Sequence, residues 1–160
     1  MTTQPQPAKF NDLIKKCRES VPEIFPWDLL EKMERGDSML LLDVREPYEF
    51  HAMHIEDSLT VPRGILESAV EWGYEETVPE LVEARDREIV VICRAGNRSL
   101  LAGKTLQFMG YRSVCSLKTG LRGWNDFEQP LVDNTGNEVE IDAADDYFTS
   151  HVSDAQLGKK

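Results

Sequence analysis

Short, continuous apolar runs separated by helical stretches set the fold class of this chain. Ser113–Leu117 (SVCSL) makes one strand, whereas Met39–Val44 (MLLLDV) and Ile89–Cys93 (IVVIC) are short apolar runs without the polar alternation of a half-exposed strand. Such runs suit strands covered on both faces. Ser58–Val61 (SLTV) reads as another strand. Helical stretches lie between them. Pro26–Met33 has Pro at its first turn and Gly36 as its stop, and Glu46–His51, Gly64–Val70 and Pro79–Ala84 are shorter. Ser99–Met109 carries Leu100, Leu101, Leu106 and Met109 on one stripe, closed by Gly110. Strands alternating with helices imply parallel pairing, with helices on both faces. Residues 22–130 are therefore expected to form a single α/β domain around an open parallel sheet of about five strands.

Residues 1–21 read as an N-terminal extension, polar at first and then amphipathic through Phe10, Leu13, Ile14 and Cys17. Residues 131–160 read as a loosely docked acidic tail, with Val139, Ile141, Tyr147 and Phe148 available for packing. Met1–Asn11 has neither the charged nor the apolar region of a signal peptide. No apolar run approaches the ~18 residues of a membrane span. The chain has 29 acidic and 18 basic residues, a net charge of −11, which argues against nucleic-acid binding. Cys17, Cys93 and Cys115 cannot all pair and show no CxxC spacing, so neither a disulfide framework nor a metal site is expected. A cytoplasmic protein with free thiols, away from membranes and nucleic acids, fits these features.

The charge is unevenly placed. Six of the basic residues, and none of the acidic ones, fall between Val91 and Trp124. Inside that window Cys93-Arg94-Ala95-Gly96-Asn97-Arg98-Ser99 joins the end of a strand to the start of an amphipathic helix. Ligands of open α/β sheets bind at the carboxyl ends of strands. A cysteine there faces the amides of the turn and the positive end of the helix dipole, both of which favour thiolate. Gly96 permits the tight backbone that an anion nest needs. A buried strand-end cysteine with an ordinary polar turn is the bland alternative. Two arginines and a glycine in one loop favour a reactive thiol beside an anion cradle.

The segment resembles the active-site loop of rhodanese-like sulfurtransferases, a cysteine opening a six-residue loop between strand and helix. Leu41-Leu42-Asp43-Val44-Arg45-Glu46-Pro47-Tyr48-Glu49-Phe50 is similar to the N-terminal signature of that family. His54-Ile55 with Val61-Pro62 is similar to its second signature, and Leu117-Lys118-Thr119-Gly120-Leu121-Arg122-Gly123-Trp124 to its C-terminal one. The set covers about residues 24–128 in the family's order. Met53 and Glu56-Asp57 stand where the family usually has glycine and Pro-Gly, and Thr119 where it commonly has the first of two glycines.

The resemblance implies an open parallel sheet and transfer of sulfane sulfur through a Cys93 persulfide, without metal or organic cofactor. The donor would be a small anion such as thiosulfate. The acceptor would be cyanide or a thiol, in some cases a protein thiol. Amides from Arg94 through Ala95, Gly96, Asn97, Arg98 and Ser99 would stabilise the persulfide, and the Arg94 and Arg98 side chains would hold the donor. Asp43, Arg45 and His54 are expected to be structural, and Trp27, Trp72 and Trp124 to be packing residues. Cys115 reads as a buried small hydrophobe that could resolve a persulfide only if its strand end neighboured Cys93. Cys17 is expected to be the exposed thiol. Two other readings stand beside this one. A sulfur-carrier or partner-binding module would keep Cys93 without turnover. A cysteine phosphatase or arsenate reductase would need five residues between Cys and Arg, where Cys93 and Arg98 are separated by four.

Overall fold

A five-stranded parallel sheet in the order β1-β5-β4-β2-β3 forms the centre of the computed structural model, which describes residues 3–159. Strand β1 is Glu23–Ile24, β2 Leu40–Asp43, β3 Leu59–Thr60, β4 Glu88–Ile92 and β5 Ser113–Leu117. The two long apolar runs occupy the middle as neighbours, Leu40 opposite Ile89 and Asp43 opposite Ile92. Because side chains alternate along a strand, each run feeds both faces of the sheet.

One face carries Leu40, Leu42, Ile89, Val91 and Val114. It is covered by α4 (Leu66–Ala69), α5 (Pro79–Val82) and α6 (Asn97–Phe108), through Leu66, Leu81, Ala102 and Leu106. The other face carries Leu41, Val90, Ile92 and Leu117. It is covered by α2 (Pro26–Glu34), α7 (Gly120–Asp126) and α8 (Ile141–Phe148), through Leu29, Leu121, Trp124 and Phe148. Each such buried side chain contributes about 1.5–3 kcal/mol. Helix α3 (Pro47–Ala52) begins with Pro47 after Glu46, whose N–H donates to the Glu49 carboxylate. Among the described residues no helix is long and apolar enough to cross a membrane.

Two expectations are overturned, those on Cys17 and on Trp27 and Trp72. The stretch read as an extension contains α1 (Phe10–Arg18), which lies on α6 with Ile14, Cys17 and Val21 against Leu100. Cys17 is therefore buried rather than the exposed thiol. The acidic tail packs through α8, which buries Ala144 and Phe148, and Asn125 donates to Asp145 at 2.6 Å. Gly120 and Gly123 lie in the first turn of helix α7. Trp124 is in the core, but Trp27 and Trp72 are exposed, Trp27 stacking on Phe25 at 4.6 Å between centroids.

Candidate active site

Cys93 follows β4 directly and is 1% exposed. It lies on the same face as Ile89 and Val91, the face that α6 covers. Gly96 then takes φ +96°, a region costing other residues about 1–2 kcal/mol, and α6 starts at Asn97. This turn brings the Gly96 N–H to Cys93 Sγ, to which it donates at 3.1 Å. The thiol in turn donates to Ser99 Oγ at 3.2 Å, and Ser99 Oγ is 2.7 Å from Ser116 Oγ. Both serines are fully buried. Ser116 arrives there by sheet register, because it pairs with Val91 on the Cys93 face.

Two buried hydroxyls in series give the sulfur a reversible chain. With a neutral thiol the protons run from sulfur to Ser99 to Ser116. With a charged sulfur both hydroxyls turn, and Ser99 becomes a donor to it. The positive end of the twelve-residue α6 adds a fixed favourable field.

A second loop braces the first. The Leu121 N–H donates to the Cys93 carbonyl at 2.9 Å, and the Arg122 N–H to the Arg94 carbonyl at 3.0 Å. Gly120 has φ +60°, and a Cβ there would lie 2.5 Å from the Arg94 carbonyl carbon and oxygen. No side chain fits. Thr119 keeps φ +67° despite its branched side chain, a strain of about 1–3 kcal/mol.

The remaining loop residues divide. Ala95 is exposed, and Asn97 is half-buried at the first turn of α6. Arg94 is half-buried and donates to the Thr149 carbonyl at 3.2 Å. Arg98 is bidentate to Glu49, at 2.8 and 2.9 Å. Burial alone would raise the Glu49 carboxyl, but the Arg98 hydrogen bonds and the Glu46 N–H outweigh it and hold Glu49 below its ordinary value. Arg98 rises for the same hydrogen-bonding reason. Sequence reasoning misses Glu49 as a partner, although it lies in the N-terminal signature. It misses Ser116 too, whose only signal is a polar residue at a strand position facing the covered side.

Other candidates resolve as packing. Arg45 is buried and bidentate to Asp43, with its Nη2 also donating to the Met53 carbonyl at 2.7 Å. His54 Nδ1 lies 2.8 Å from the Phe50 carbonyl, and its ring stacks on Phe50. Cys115 pairs with Val90, so it lies three residues, ~10 Å, short of the Cys93 level and on the opposite face. It does not meet the condition for a resolving thiol. Burial, then the Glu88 carboxylate, push its thiol up to about 11. Among the described residues no group of His, Cys, Asp and Glu could hold a metal ion.

Residues 26–127 match the rhodanese-like domain family. A sulfurtransferase of Allochromatium vinosum is 30% identical over 112 residues, which are 70% of this chain and 95% of that protein. A Bacillus subtilis protein provisionally named sulfur carrier protein YrkF is 32% identical over 105 residues, 66% of this chain. That match takes in 51% of YrkF, so the chain spans about half the length of that relative. Among solved structures, a protein of unknown function from Rhodopseudomonas palustris, described as a possible tyrosine phosphatase, is similar at a TM-score of 0.72 and 26% identity. The similarity covers 82% of this chain and 99% of that one. On the family match and the shared parallel-sheet architecture, the chain belongs to the rhodanese-like domain family.

Proposed function

We propose that this chain is a sulfurtransferase that carries sulfane sulfur on Cys93. The observation that carries the reading is a buried cysteine at a strand end, with the Gly96 amide and the Ser99 hydroxyl within hydrogen-bonding distance of its sulfur. The Cys93 thiolate attacks the outer sulfur of thiosulfate, the S–S bond breaks, sulfite leaves with the electron pair, and Cys93 keeps a persulfide anion. Cyanide or a thiol then takes that outer sulfur and returns the thiolate. The Gly96 N–H, the helix terminus and the Ser99 hydroxyl are placed to hold the negative sulfur. Loop amides from Arg94 to Ser99 form the cradle, and Arg94 is the cation that anchors an anionic donor. Arg98 contributes through Glu49, by fixing α6 to α3, as well as by its charge.

Intact mass after incubation with thiosulfate tests this. A gain of one sulfur, absent in Cys93→Ser and removed by cyanide, is the expected result. No gain from thiosulfate or from an organic persulfide would overturn it. The similarity to the Rhodopseudomonas protein, a possible tyrosine phosphatase, favours a second reading, phosphoryl transfer. With four residues between Cys93 and Arg98, the cradle is one short of the phosphatase spacing. Turnover of an aryl phosphate dependent on Cys93 would establish that reading instead.

A further inference from the structure

Helix α1 precedes the family match at 26–127 and is covered on one side alone. Its Ile14 and Cys17 are buried with Leu100, whereas Phe10 is 52% exposed and Leu13 46%. Residues 9–18 carry Lys9, Lys15, Lys16 and Arg18 against the single acid Asp12. Arg18 pairs with Glu23 at 2.8 Å. Lys9, Lys15 and Lys16 have no ion-pair partner among the described residues. A chain of net charge −11 thus presents a locally basic face bearing two large apolar side chains.

That face extends to the end of the molecule where Cys93 lies. Ile14 clusters with Leu100, and beyond the helix Ser20 accepts from Lys104 at 2.9 Å and from Gln107 at 2.8 Å. Helix α1 therefore runs in the same direction as α6. Phe10 is one turn ahead of Ile14, about 6 Å along the axis, which sets it level with the turn leading from Cys93 into α6.

We propose that the outer face of α1 docks an acidic segment of a partner protein, which brings an acceptor thiol to Cys93. The inference rests on the sulfurtransferase reading. Cys93 is 1% exposed, so an extended segment is what can carry a protein thiol to it. A second copy of this chain would set lysine against lysine in a two-fold contact. A lipid surface would need the apolar side of the helix, and Ile14 and Cys17 are already committed to α6. A protein segment needs a few apolar anchors within complementary charge, which Phe10, Leu13 and the three free lysines supply. The partner's thiolate attacks the outer sulfur of Cys93–S–SH and the S–S bond breaks. Cys93 leaves as thiolate with the electron pair, and the partner keeps R–S–SH with the proton.

The test uses the full chain, first loaded with sulfur, and follows its discharge by quenched intact mass. The acceptors are a short peptide of Asp, Glu and Leu ending in Gly-Gly-Cys, its counterpart with Lys for each acid, and free cysteine. Net charge alone would favour the lysine peptide. The acidic peptide is instead expected to react about tenfold faster in kcat/KM at low salt, with the gap closing as salt rises. The double variant Lys15→Gln, Lys16→Gln is expected to remove most of that preference, and Phe10→Ser to raise the KM of the acidic peptide about threefold. Discharge to free cysteine should stay unchanged in both, which separates docking from damage to the fold. Equal rates for the two peptides, a faster lysine peptide, or an equal loss with free cysteine would overturn the inference and leave sulfur transfer standing. Sedimentation with phosphatidylglycerol vesicles, lost in Phe10→Ser, would also overturn it and give the face to a lipid surface. Failure of Cys93 to load at all would overturn the sulfurtransferase reading itself.

Discussion

The end of β4 and the middle of β5 each bear a cysteine, on adjacent parallel strands, in the segments IVVIC and SVCSL. Cys93 has left the ladder, so the turn delivers an amide and a hydroxyl to its sulfur. Cys115 is held inside the ladder, where neighbouring amides are committed to the sheet. Among the described residues its sulfur has no such donors, and burial disfavours its charged form. Burial alone thus does not distinguish a nucleophile from packing. What distinguishes them is whether the backbone beside the sulfur is free to point at it.

The comparison breaks most sharply at the sulfur. Cys93→Ser is expected to abolish sulfur loading in the mass assay, and any loading that persists would move the nucleophile elsewhere. The brace comes next. Gly120→Ala pushes a methyl into the Arg94 carbonyl and should slow loading about a hundredfold by displacing the loop. An unchanged rate would show that the loop tolerates the shift.

Removing one donor should cost less. Ser99→Ala is expected to slow loading about tenfold, and Ser116→Ala a few-fold, because Ser116 acts through Ser99. Equal effects would mean that the two hydroxyls do not work in series. Glu49→Gln, which leaves Arg98 without its anion, should cost about 1–3 kcal/mol in thermal or denaturant unfolding at neutral pH. Because the folded Glu49 carboxyl titrates below its ordinary value, this contribution is complete above the ordinary range near ~4.3 and fades as pH falls through the depressed value. The gap between wild type and Glu49→Gln should therefore close in acid. A gap independent of pH would mean that charge is not its source. The smallest effect belongs to β5. Cys115→Ser should leave loading unchanged, and iodoacetamide at pH 8 should label Cys115 slowly, with ~0.1% of it ionised at a pKa of about 11.

Much of this was legible in the chain. The runs at Met39–Val44 and Ile89–Cys93 announced strands buried on both faces, because only covered strands can be so continuously apolar. The Cys93–Ser99 loop was legible as well, since cysteine, glycine and helix start are neighbours in sequence. β1 was not legible, being two residues, Glu23 and Ile24, paired to Ser116 and Leu117 by tertiary contact. The docking of α8 was legible only in part, since Phe148 read as available for packing but the core it meets across the fold did not.

By itself, then, the sequence determined the parallel sheet, the candidate nucleophile Cys93 and the local turn that presents it, because periodicity and glycine placement are local physics. Only the tertiary structure decided which groups face that nucleophile across the fold. Strand register brought Ser116 to Ser99, helix packing brought Glu49 to Arg98, and the docked C-terminal segment brought Thr149 to Arg94. Each of those pairs joins residues from 17 to 55 positions apart. No local pattern encodes such distances, and packing of the two faces of the sheet is what closes them.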